Sequence, residues 1–285
     1  MLVASKSSME RLISGTFHFH SVYSHDGRTP LRQIASVLRD RGLSFCVMTE
    51  HFEDFTAATF AQYLRDVNDI NQQSGFILIP GVEINLEGID TIVFPVDDYD
   101  AITKLMSGGD EGRSDLIKVV AHPAKYPFER VARHIEKYQV NGIELWNQQS
   151  DGSLMPALGL LEWMKTQDQC NDFGYFFGCD IHDVRLSVAN VLCLRDLPSR
   201  TPAAVASELR NRRFVSRNLL TGIEYRNDSP RTDFAAWVES VARRPFYRAK
   251  IQRAIRRSLR FGYRLLPRDT QHSLNDFKNL VRNRI

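Results

Sequence analysis

The chain has 285 residues, 43% of them hydrophobic and 25% charged, with a formal net charge of +3, which is enough apolar material for one large core or two modest ones, and an α/β chain of this length is routinely a single domain. No apolar run approaches the roughly eighteen residues that cross a bilayer, Met1 to Arg11 lacks the charged-then-apolar pattern of a signal peptide, and the four cysteines (Cys46, Cys170, Cys179, Cys193) are widely spaced with no CxxC pair. A reduced, cytoplasmic protein is therefore expected, without a disulfide framework or a zinc knuckle.

Short apolar, β-branched runs alternate with helical patterns from Thr16 to about Val215. The expected strands are Thr16–His20, Ser44–Thr49, Phe76–Glu83, Thr91–Val96, Leu116–Ala121, Gly142–Trp146, Tyr175–Cys179 and Val188–Leu194, mostly bounded by Gly, Pro, Asp or Asn. The first helix is expected to have Thr29 as N-cap and Pro30 as its first residue, and to run to Arg39 with Leu31, Ile34, Ala35 and Leu38 as its apolar face. Further helices are expected at about Ala57–Gln72, Ala101–Met106, Pro127–Tyr138, Leu154–Thr166 and Pro202–Arg212. So regular an alternation argues for parallel strands joined by right-handed crossovers, as a closed barrel or a doubly wound sheet. No glycine-rich phosphate fingerprint is present, which lowers the nucleotide-fold alternative.

The polar residues favour the barrel, whose chemistry gathers where several strands end. His18 and His20 close the first strand, where alternation would point both imidazoles the same way and make a chelating pair. Glu50-His51, Gly81-Val82-Glu83, His122-Pro123, Glu144 to Asn147 and Asp180-Ile181-His182 close the later strands. Six of the eight histidines (His18, His20, His25, His51, His122, His182) lie at a strand end or in the loop after it, while His134 and His272 do not. So many imidazoles and carboxylates on one rim would repel one another or stay unsatisfied unless cations compensate them. Mixed nitrogen and oxygen donors without cysteine suit manganese, iron or zinc.

In order, the series reads HxH with S-x-D-G (His18, His20, Ser24, Asp26, Gly27), Glu50-His51, P-G-V-E (Pro80 to Glu83), His122-Pro123, I-E-x-x-N (Ile143, Glu144, Asn147) and G-x-D-x-H (Gly178, Asp180, His182). Over about residues 14–217 it resembles the PHP (polymerase and histidinol phosphatase) family. The resemblance implies an α/β fold of the distorted (β/α)7 barrel kind, with two or three divalent metals at the C-terminal rim and phosphoester hydrolysis. Carried over position by position, His18, His20, Glu83 and Asp180 would hold one metal. Glu83 would bridge to a second with His122 and His182, and Asp26 with His51 would serve a third or a variant site. Where many relatives carry a further histidine on the next strand, this chain has Asp90-Thr91, so that ligand is replaced by one of them or lost; Glu50 stands where Asp is usual, and His25 is an additional imidazole.

The expected reaction is in-line attack of a metal-bound hydroxide on a phosphomonoester, a nucleotide or a nucleic-acid end. His25 or Asp26 is the candidate proton donor to the leaving group. Arg28, Lys125, Arg185 and Asn147 are candidates for substrate binding. Glu144 and Asn147 are also placed to orient ligating imidazoles, and Trp146 either packs in the barrel wall or stacks on a ring.

Residues 243–285 carry 13 Lys and Arg against two acids, leaving 24 basic and 32 acidic residues, a net of −8, in residues 1–242. Residues 1–217 are thus expected to form the phosphoesterase domain and 218–285 a basic helical extension. Tyr247, Ile251, Ile255, Leu259 and Tyr263 recur every fourth position among Arg and Lys, an amphipathic helix that Gly262 weakens and Pro267 ends. It would pack on the acidic body or on a second copy, or engage nucleic acid, an anionic membrane surface or an acidic protein. A catalytically silent PHP scaffold that binds a partner through this tail is the alternative from another class.

Overall fold

Strand β1 (Ile13–Phe17) opens a computed structural model that describes residues 12–108, 113–167, 173–195, 197, 199–228 and 232–243. Helix α1 (Leu31–Asp40) buries Leu31, Ile34, Ala35 and Leu38 as its spacing predicts. It starts one residue later than expected, with Pro30 at the N-cap and no side-chain cap, because the Thr29 hydroxyl instead accepts a hydrogen bond from the Val184 N–H at 3.2 Å. After it come β2 (Phe45–Val47), β3 (Glu50–His51), α2 (Ala57–Gln73), β4 (Ile77–Ile79), β5 (Val82–Leu86), β6 (Ile89–Phe94) and α3 (Tyr99–Met106). Next are β7 (Ile117–Val120), α4 (Phe128–Tyr138), β8 (Gly142–Asn147), α5 (Gln148–Asp151), α6 (Leu158–Met164) and β9 (Gly174–Gly178). The last are β10 (Asn190–Leu194), α7 (Pro202–Arg210), β11 (Phe214–Asn218), β12 (Glu224–Arg226) and α8 (Thr232–Arg243).

The strands form two six-stranded sheets, ordered β12-β11-β10-β1-β2-β4 and β3-β5-β6-β7-β8-β9. The expectation of parallel strands throughout is corrected at five pairings: β1 with β10, β10 with β11, β11 with β12, β5 with β6 and β6 with β7 are antiparallel. For β5 and β6 the cause is local. Glu87 and Gly88, with φ of 53° and 80°, make a two-residue turn in which both central residues are left-handed, and so short a link admits only a hairpin.

The core lies between the sheets. Phe17 of the first sheet packs against Phe94 and Phe176 of the second, with ring centroids 5.6 and 4.8 Å away, and Phe176 packs back against Phe214 at 4.9 Å. Each such buried aromatic contributes about 1.5–3 kcal/mol relative to exposure. At one end the sheets join: the N–H groups of Cys179 and Asp180, just past β9, donate to the carbonyls of Phe17 and His18, and Thr49 N–H donates to Phe19 O. Phe19 and Ile181 form an isolated parallel bridge there. This seam draws the ends of β1, β2 and β9 to one rim, where the polar residues of the sequence series collect.

The first sheet continues past residue 217 through β12, and one compact unit runs to Val238. Phe234 of α8 stacks on Tyr175 at 5.2 Å, and Trp237 Nε1 donates to Glu224 O. The basic helix expected from Tyr247 to Tyr263 lies outside the described residues. No described helix is long and apolar enough to cross a membrane.

Candidate metal centre

His18 and His20 converge, although not by strand alternation. Regular strand ends at Phe17, and His18 adopts a left-handed backbone with φ of 67°. The rings nonetheless lie 5.3 Å apart, because His20 N–H is tied to Ile181 O at 2.9 Å across the seam. Both side chains are wholly buried, so each ring nitrogen needs a partner.

The rear nitrogens have theirs. His18 Nδ1 donates to Glu144 Oε1 at 2.9 Å, and Glu144 Oε2 accepts from His122 N–H and Asn147 Nδ2. Glu144 reaches this position because Gly178 has no side chain, since a Cβ there would lie 1.6 Å from Glu144 Oε1. The Ser24 hydroxyl gives its one proton to Glu50 Oε2 at 2.7 Å, so toward His20 Nδ1, 3.2 Å away, it acts as the acceptor. Both imidazoles thus carry a proton at Nδ1 and turn Nε2 inward, the arrangement that outer partners impose on metal-ligating histidines. Glu50 is fully buried and occupied by Ser24 and the Ser21 N–H, which makes it a support of this ring system.

The inward atoms face carboxylates. His18 Nε2 lies 3.4 Å from Glu83 Oε2 and 3.5 Å from Asp180 Oδ1, and His20 Nε2 lies 3.5 and 3.8 Å from the same two atoms. Neither Nε2 has a hydrogen-bond partner, and both are buried. Burial opposes charge on His18, but Glu144, Asp180 and Glu83 together outweigh it and hold its pKa well above the ordinary value. Burial, aided by His18, drives His20 the other way. Burial would also raise Glu83, yet His18, His122 and His20 hold its carboxyl well below the usual range. Orphaned nitrogens facing carboxylates in a buried cradle fit a divalent cation.

Two further groups adjoin this one. Glu83 Oε1 lies 3.0 Å from His122 Nε2, with Asp90 Oδ2 3.7 Å from the same nitrogen. Asp90, not Thr91, therefore stands where many relatives carry the further histidine, while the Thr91 hydroxyl pairs with His134 Nε2 behind the strand. Asp26 joins His51 and His182 through its two oxygens, at 3.4 and 3.0 Å. His182 thus sits with Asp26 and His51 rather than beside His122, where the resemblance would place it. The ligand atoms of His18, His20 and Asp180, of Glu83, Asp90 and His122, and of His20, Asp26, His51 and His182 each lie within 4.8 Å of one another.

A cleft of about 380 Å³ opens over these groups, lined among others by Asp26, Glu83, His122, Lys125, Ser150 and Asp180. Of the residues expected to bind substrate, Lys125 is at the cleft and exposed, and Arg28 is exposed on the loop beyond Asp26. Arg185 is turned into an ion pair with Asp183. Asn147 is fully buried: its amide nitrogen holds Glu144 and contacts Asp180, and its oxygen caps α5, so it supports the site from beneath. Trp146 is wall packing, buried against Phe177 with Nε1 on Gly152 O. His25 is exposed at the rim, stacked 5.3 Å from His51 and fixed by Asp54 at 2.9 Å, and that hydrogen bond raises its pKa. Asp54 and Tyr126, whose hydroxyl bonds Asp90 at 2.6 Å, carry no signal in the sequence, because neither belongs to the ordered series.

No family model matches the chain, and no curated protein matches it. Solved structures similar to it include a protein from Bifidobacterium adolescentis provisionally described as a metal-dependent phosphoesterase (14% identity, 59% of this chain and 87% of that one, TM-score 0.40). Another is an amidohydrolase from Chromobacterium violaceum with bound sulfate and no metal (14%, 70% and 96%, TM-score 0.42). A third is Endonuclease Q in complex with a duplex bearing an abasic lesion (12%, 70% and 57%, TM-score 0.47). All three are similarities at low sequence identity.

Proposed function

We propose that this chain is a PHP-type metal-dependent phosphoesterase, built as a distorted seven-stranded β/α barrel, that hydrolyses a phosphomonoester, a nucleotide or a nucleic-acid end. The observation that carries the reading is the pair of buried, unpartnered Nε2 atoms of His18 and His20, aimed at Glu83 and Asp180 with their rear nitrogens fixed by Glu144 and Ser24. The seam that joins β1, β2 and β9 at the rim supports the barrel description.

Two or three divalent ions, manganese, zinc or iron, would supply the Lewis acidity that clamps a phosphoryl group and activates water. The chain's part is to hold them and to position the substrate. Glu83 turns one oxygen toward His18 and His20 and the other toward His122, the posture of a bridging carboxylate. Asp26 spans His51 and His182 in the same way. Lys125 offers a cation to phosphate oxygens at the cleft. His25, braced by Asp54, would pass a proton to the leaving oxygen. The excess of positive charge in residues 243–285 supports a polyanionic substrate or partner.

The test is metal analysis of the full chain, followed by a panel of phosphomonoesters, cyclic nucleotides, dinucleotides and single-stranded RNA and DNA with Mn2+, Zn2+ and Mg2+. Activity confined to metal-loaded protein and lost in His18→Ala and Asp180→Ala is expected. Bound metal near zero, with activity unchanged in both variants, overturns the reading.

A further inference from the structure

Asp90 gives one of the three groups a different chemical character. The Glu83, Asp90 and His122 group offers two carboxylates and one imidazole, whereas the group of His18, His20 and Asp180 offers two imidazoles and that of His20, Asp26, His51 and His182 offers three. Its carboxylate is held in place. Tyr126 OH donates to Asp90 Oδ2 at 2.6 Å, Asn85 Nδ2 donates to Oδ1 at 2.7 Å, and the Asp90 N–H returns to the Tyr126 oxygen at 3.2 Å. The tyrosine ring lies 6.0 Å from that of His122, so one side chain braces the carboxylate beside the imidazole it accompanies. The neighbouring donor is withdrawn, since Thr91 points into the interior toward His134.

Resting on the metal-centre reading above, we propose that the position between Glu83, Asp90 and His122 is the least zinc-selective of the three, holding Mn2+ where its imidazole-rich neighbours hold Zn2+. Oxygen-rich donor sets suit hard ions such as Mn2+ and Mg2+, whereas imidazole suits Zn2+. The group opens onto the cleft, with 31% of the Asp90 side chain exposed, so water can complete the higher coordination number a hard ion prefers. Tyr126 and Asn85 act as positioning residues for Asp90.

The experiment strips the full chain of metal, exposes it to Mn2+ in excess over Zn2+, removes free ions, and counts bound metal by mass spectrometry with Mn2+ read by electron paramagnetic resonance. Wild type is expected to keep Mn2+ alongside Zn2+. Asp90→His should exchange that Mn2+ for Zn2+ at unchanged total metal. Tyr126→Phe, which keeps the ring and removes the bond to Asp90, should weaken Mn2+ retention about tenfold and leave Zn2+ unaffected. Wild-type protein that carries Zn2+ at every filled position overturns the proposal, as does Mn2+ retention unchanged in both variants. Wild-type protein that binds no divalent ion overturns the metal-centre reading as well, which separates the two failures.

Discussion

His18 and His20 lie wholly inside the protein with their rear nitrogens fixed by Glu144 and Ser24, whereas Asp26, His51 and His182 stand at the cleft mouth and hold chiefly one another. The two halves use the same residue types under different constraint. In the deep half the carboxylate that orients His18 is itself held by Asn147 and the His122 N–H. In the outer half 42% of the Asp26 side chain is exposed, and His182 Nδ1 has a 3.3 Å contact with Asp180 O. Preorganisation lowers what a bound ion must spend on ordering its ligands. The difference therefore teaches that the deep half should bind tightly and the outer half should exchange.

That contrast can be broken or sharpened in steps. His18→Ala or Asp180→Ala should cost about a thousandfold in kcat/KM on any phosphoester turned over, roughly 4 kcal/mol of transition-state stabilisation, together with the deep ion measured by mass spectrometry. Glu144→Gln leaves every ligand in place but disturbs the tautomer of His18, and a chelator-competition titration should show metal affinity reduced about 10- to 100-fold. Asp26→Asn should weaken a single ion about tenfold while the deep ion survives the same titration. Loss of all ions together in Asp26→Asn would show that the two halves are one cooperative unit.

The smallest effect lies outside both halves. Burial depresses His134 to about 4, below its ordinary value near 6.5, so between those values the unfolded chain binds more protons and stability falls as pH drops. The resulting loss is about 1 kcal/mol. Urea midpoints at pH 7 and pH 5 should differ accordingly in wild type and less in His134→Gln, with the deep and outer variants unchanged in this respect.

The strand ends that carry the candidate ligands were legible because each follows an apolar run and carries residue types that an apolar interior does not tolerate alone. The choice between Asp90 and Thr91 was not. Adjacent residues of a strand face opposite sides, and only the pairing register of β6 decides which side is the cleft. The hairpin of β5 and β6 was hidden in Glu87-Gly88, which lacks the Asn-Gly or Asp-Gly signature of such turns. Strands β11 and β12 escaped notice because Arg217 and Arg226 interrupt their apolar character, although Val215 pairs with Arg226 and Arg217 with Glu224 in the ladder. Thr29 has the chemistry of an N-cap, and a distant N–H at Val184 uses its oxygen instead.

His18, His122 and Asp180 all have left-handed backbones, with φ of 67°, 31° and 54°. A side chain at such a position costs the chain about 1–3 kcal/mol that surrounding structure must offset. Glycine would relieve that strain at each of the three and would supply no donor. The candidate site is therefore built at a cost to stability, and glycine at any of the three positions would exchange a candidate donor for backbone ease.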